Sequence, residues 1–117
     1  MKKRLMLLSC LLVSCSINGF VVRNCINHET STSFSSQYDY FSGNKNYQIN
    51  INEDKKTIKV KITSLEGTLS VRVYDNSTSY YEGNIDYDFD FTINLNKGKY
   101  KVSLTADEHK GSYSFSW

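Results

Sequence analysis

A chain of 117 residues has room for one small domain and excludes a multidomain enzyme. The formal charge is only +2, and the basic residues are scattered, so no stripe of Lys and Arg offers itself to nucleic acid. Proline is absent, while nine Tyr and six Phe supply bulk for a β-rich core.

The N-terminus reads as a targeting segment. Met1-Lys2-Lys3-Arg4 is a compact cationic start, and Leu5 to Val13 is an apolar run broken only by Ser9 and Cys10. Nine residues of helix rise roughly 14 Å, about half of a hydrocarbon core, so the run fits a signal peptide and not a membrane span. Leu12-Val13-Ser14-Cys15 resembles the lipobox of bacterial lipoprotein signal peptides. That resemblance implies cleavage after Ser14, a diacylglyceryl thioether on Cys15 and a membrane partner held through that lipid. Leu7-Leu8-Ser9-Cys10 is a poorer match because it leaves too short an apolar run. Removing residues 1–14 would take away Lys2, Lys3 and Arg4, leaving 11 cations against 12 acids. With Cys10 discarded and Cys15 alkylated, Cys25 would stand single, with no intramolecular disulfide possible, and would be a buried small apolar group, an exposed unused thiol or a thiol paired between molecules.

Residues 15–32 read as the lipidated cysteine and a tether of roughly 20–25 Å reach, with Phe20-Val21-Val22 as its one β-prone patch. From residue 33 to 117 the pattern becomes period-2 alternation, the mark of half-buried strands. Phe34, Ser36, Tyr38 and Tyr40 form the first inward set. Tyr47, Ile49 and Ile51 form the second, and Ile58, Val60 and Ile62 the third, after a turn at 53–56. Leu69, Val71 and Val73 follow the turn at Glu66-Gly67. Residues 75–84 read as a loop. The next strand places Tyr87, Phe89, Phe91, Ile93 and Leu95 inward, with Asp86, Asp88 and Asp90 on the other face. Lys97-Gly98 reads as a two-residue hairpin turn that pairs Leu95 with Tyr100. Tyr100, Val102 and Leu104 continue the inward face, and Tyr113, Phe115 and Trp117 close the chain.

Seven short strands with one polar face each predict an all-β fold, a small antiparallel β-sandwich of jelly-roll or Ig-like type. The strings Gly67-Thr-Leu-Ser-Val-Arg-Val-Tyr-Asp75, Gly98-Lys-Tyr-Lys-Val-Ser-Leu104 and Gly111-Ser-Tyr-Ser-Phe115 resemble bacterial pre-peptidase C-terminal domains and similar small domains of bacterial lipoproteins. The resemblance implies a non-catalytic accessory module on an exported protein, with carbohydrate or matrix binding as one role. It transfers no binding residue.

Chemistry-bearing residues are few. Tyr74, Tyr80 and Tyr81, beside Asp86 and Asp88, offer stacking rings and hydrogen-bonding groups, which suits a carbohydrate site. The three aspartates alone do not make a calcium site, because neighbours on one strand face stand roughly 7 Å apart while calcium needs six or more wrapped oxygens. Cys25 and His28 supply two zinc ligands at most. No serine sits in a nucleophile-elbow context near Asp107 and His109. The expectation is therefore a membrane-anchored binding module with no catalytic residue, metal or cofactor. The alternatives are an accessory partner of an envelope protein acting through a sheet edge and, behind it, a small hydrolase.

Overall fold

The computed structural model describes residues 20–117; the lipobox and Cys15 lie outside the described residues. Five extended elements follow in order: β1 (Phe20–Arg23), β2 (Ile26–Thr30), β3 (Ser33–Tyr74), β4 (Ser79–Ile85) and β5 (Phe89–Ser116). All pairing between them is antiparallel. The two long elements are ribbons that bend, and each bend coincides with a shift of register. Segment 33–38 pairs with 111–116, segment 41–51 with 98–109, and segment 55–62 with 89–96. A second run of pairs joins 59–64 to 111–116 and 68–74 to 101–107.

These registers define two layers. In the first, the order is 26–30, 33–38, 111–116, 59–64 and 89–92. In the second it is 20–23, 41–51, 98–107, 68–74 and 79–85. The all-β antiparallel sandwich read from the alternation is therefore what the chain forms, with jelly-roll-like wrapping of one ribbon around the core.

The inward sets meet between the layers. Ile49, Ile58, Leu69, Val73, Val102, Leu104 and Phe115 are fully buried. Phe34 in the first layer stacks on Tyr47 in the second at 3.9 Å between ring centroids and on Phe115 at 4.7 Å. The Tyr47 and Tyr113 hydroxyls share a 2.6 Å hydrogen bond across that gap. Phe34 thus joins the layers through dispersion over two ring faces, a geometry that adds to plain area burial.

Corners demand glycine where backbone crowds backbone. At Gly111, φ is 149°, and a Cβ would overlap the Thr63 carbonyl oxygen. At Gly67, φ is 74°, and a Cβ would overlap the carbonyls of Asp107 and Glu108. Both sit where 64–68 passes 107–111, so side-chain-free residues allow the ribbon to fold over itself.

Several expectations differ from the structure. Within the expected tether, Phe20–Arg23 pairs with residues 40–43 and Ile26–Thr30 with 33–37, so the sheet extends back to Phe20. Ile26–Thr30 is exposed throughout, which is why alternation gave no sign of it. The inward set does not run on to Tyr40: the register slips between Tyr38 and Phe41, and Phe41 is buried instead. The expected loop at 75–84 is a tight turn followed by Ser79–Ile85, paired with 69–74. Lys97-Gly98 is a corner between layers, because Leu95 pairs with Lys56 and Tyr100 with Ile49. Tyr87 precedes the strand and is exposed. Cys25 is disulfide-bonded, which corrects the expectation of a single cysteine with no intramolecular disulfide.

Candidate functional site

Alternation that buries one face of a strand lays the other out to solvent, and pairing sets those outward residues side by side. On the second layer three rows result. Gln48 pairs with Lys101, which pairs with Tyr74. Asn46 pairs with Ser103, Ser103 with Arg72, and Arg72 with Glu82. Asn44 pairs with Thr105, Thr105 with Ser70, and Ser70 with Asn84. The face is a lattice of amides, hydroxyls and charged groups around one ring.

Local contacts hold that lattice in place. The Asn44 amide donates to Thr105 Oγ1 at 2.7 Å and Ser103 Oγ at 3.1 Å. Ser70 donates to Asn84 at 2.6 Å. The Arg72 guanidinium lies 4.2 Å from the Tyr74 ring centroid and 3.7 Å from Glu82. Cation–π contact and the loose ion pair together orient a fork of donors beside an aromatic plane. A shallow depression of about 220 Å³ at the row's end is lined by Gln48, Asp75, Asn76, Lys99 and Lys101.

The turn that borders this depression is organised by Asp75. Its carboxylate accepts from the Ser77 amide at 2.9 Å, the Thr78 amide at 2.8 Å and the Tyr80 hydroxyl at 2.8 Å. The Ser77 amide first, then the Tyr80 hydroxyl, hold its pKa below the usual aspartate value, since each donor favours the charged form. Tyr80 is thereby pinned over Tyr100 in an edge-to-face contact at 5.3 Å, still exposed to solvent.

The predicted site residues divide between places. Tyr74 and Tyr80 border the same end of the second layer. Tyr81 turns inward and stacks on Phe91 at 4.3 Å, sealing the edge where the two layers meet. Asp86 and Asp88 lie in the connection before β5, not on one strand face with Asp90, and Asp88 accepts the Ser64 amide at 2.9 Å. Gln48, Arg72, Lys101 and Ser103 were not singled out from sequence. Alternation marked them as outward, but only the fold shows that they adjoin Tyr74.

One buried polar group stands apart. His109 is fully buried, with Nδ1 sharing a 2.7 Å hydrogen bond with the Tyr38 hydroxyl and Nε2 a 2.8 Å bond with Ser64 Oγ. Burial pushes its pKa down to about 4, because the charged ring would lose its hydration. Both ring nitrogens are occupied, so the group ties the 38–41, 64–68 and 107–111 corners together.

No family model and no curated protein matches the chain. Among solved structures it is similar to the pre-peptidase C-terminal domain of collagenase from Bacillus anthracis, at a TM-score of 0.52 and 16% identity over 73% of this chain and 86% of that one. It is also aligned with carbohydrate-binding module CBM36 in complex with calcium and xylotriose, at a TM-score of 0.37 and 15% identity over 80% and 94% of the two chains. A third is TmCBM61 in complex with β-1,4-galactotriose, at 0.35 and 12% over 78% and 64%. The collagenase domain establishes the kind of fold: a small β-sandwich is the architecture this chain shares.

Proposed function

We propose that this chain is a non-catalytic binding module displayed on the outer face of a bacterial cell membrane, anchored by lipid at Cys15, and that the second-layer face binds carbohydrate. The observation that carries the ligand class is the Gln48–Lys101–Tyr74 row with Arg72 laid against the Tyr74 ring. An amide, an ammonium and a guanidinium around an aromatic plane recognise a sugar ring by stacking on its C–H face and bonding its hydroxyls. Support for the absence of catalysis comes from His109, whose complete burial keeps the Ser64–His109 pair from presenting a base to substrate.

The lipid anchor rests on the sequence pattern at Leu12–Cys15. Only four residues, Ser16 to Gly19, separate Cys15 from Phe20, and the five Cα–Cα steps bound that stretch at roughly 18 Å fully extended. The module would ride close to the headgroups.

Two measurements test the reading. Residues 16–117 applied to a glycan array retain a defined set of neutral oligosaccharides, and Tyr74→Ala or Arg72→Ala weakens retention about tenfold, as loss of an interface anchor does. Silence on every glycan, or unchanged binding by both variants, overturns the carbohydrate reading. Metabolic labelling with a fatty-acid analogue marks the parent and not Cys15→Ala; equal labelling of the two overturns the anchor.

A further inference from the structure

The outer face of the first layer carries a different chemistry. Along 55–61 the outward residues are Lys55, Thr57, Lys59 and Lys61, a short row of cations that corrects the expectation of scattered basic residues with no stripe of Lys and Arg. Lys59 is flanked by Ser116 on one side and Thr92 on the other, and Lys61 by Ser114 and Asp90. The central strand 111–116 presents only serines outward, and 33–38 presents Ser33, Ser35 and Gln37. Short side chains beside long ones leave a trough. A depression of about 440 Å³ is lined by Lys59, Lys61, Thr92, Ser114 and Ser116. A second, of about 540 Å³, shares Lys59 and Ser116 with the first and is walled by Lys55, Lys56 and Trp117.

The charges in this trough are unbalanced. Lys56 is matched by Glu53 at 3.2 Å. Among the described residues, no carboxylate lies within ion-pair distance of Lys55, Lys59 or Lys61. Asp90 is the one acid bordering the first depression, and it faces Lys61 across the ladder without closing on it. In the wall of the second depression the Trp117 indole N–H is buried with no acceptor. An unmatched donor of this kind, next to three open ammonium groups and a hydroxyl floor, is a surface short of acceptor oxygens. Two cations at i and i+2 stand roughly 7 Å apart along a strand, a spacing that successive anions on a polymer chain span.

We infer that this trough binds an acidic polysaccharide, its anionic groups seated at Lys59 and Lys61 and its hydroxyls on Ser114, Ser116 and Thr92. The site is separate from the second-layer face and does not depend on it. A processed chain with 11 cations against 12 acids does not attract a polyanion as a whole, so binding must be local to be seen at all.

The test uses polygalacturonate, which carries carboxylates, dextran sulfate, which carries sulfates, and neutral dextran. The expected result is salt-sensitive binding of at least one of the two polyanions and none of neutral dextran, with Lys59→Gln/Lys61→Gln weakening it about tenfold. Whichever polyanion is held identifies the anion. The matched variant Lys99→Gln/Lys101→Gln removes the same charge from the opposite layer and leaves this binding within about twofold of the parent. Absence of binding to both polyanions overturns the inference. So does an equal loss in the two double variants, which would mean general charge attraction. Tyr74→Ala leaves polyanion binding unchanged, which keeps this site's failure distinct from failure of the neutral-glycan face.

Discussion

A chain ended after Ser112 gives no cooperative thermal transition. The lost segment, Tyr113 to Trp117, is the second half of the central strand of the first layer, hydrogen-bonded to 33–38 on one side and 59–64 on the other. Tyr113 and Phe115 are buried to 2% exposure or less, and Phe115 lies flat against Phe34. Removing two such rings costs roughly 3–5 kcal/mol each, and two neighbouring strands lose their ladder partners as well. Small domains have only about 5–15 kcal/mol of net stability. Circular dichroism through a temperature ramp reads the outcome, and a sigmoidal melt from the truncated chain would contradict the assignment of that strand to the centre. Phe115→Leu, which keeps most of the volume, retains a transition at lower temperature and shows that the loss comes from the strand.

Acid destabilises the domain in a window set by His109. Its folded pKa of about 4 lies below the ordinary 6.5, so the unfolded chain binds a proton that the folded chain refuses. Stability is full above pH 6.5 and falls as the pH drops toward 4, by about 3 kcal/mol across that interval. Urea titrations at pH 7 and pH 4.5 measure the change. His109→Gln keeps groups able to bond Tyr38 and Ser64 but cannot gain a charge, so its stability is nearly level over the same interval. A parent as stable at pH 4.5 as at pH 7 would refute the burial of a neutral ring. Asp75, held below its ordinary 3.8, contributes only below that window and in the same direction.

The core was legible because its strands bury one face only. Ile49 and Ile51, Ile58 to Ile62, Leu69 to Val73 and Val102 to Leu104 each read as inward from alternation, and each is buried. The edges were not legible. Ile26–Thr30 has no inward face and is a strand only because 33–37 offers it partners, while Ser79–Ile85 buries little beyond Ile85. Tertiary pairing, not local propensity, makes both. The candidate site was half legible for the same reason. Tyr74 and Tyr80 stood out as rings beside polar residues, yet Gln48, Lys101 and Arg72 join them only through a register that links residues far apart in sequence. Tyr81 carried the same sequence signal as Tyr80 and points the other way, because its partner Phe91 belongs to a distant strand.

The ribbon's path also governs when the molecule can exist. Ser33 pairs with Ser116, about 80 residues later in the chain, and the rest of that ladder likewise joins early residues to late ones. Such topologies fold slowly, because long loops must close before any pairing rewards them. A nascent chain can therefore pair 26–30 with 33–37 and 69–74 with 79–85 early, but the centre of the first layer closes only when 111–116 appears.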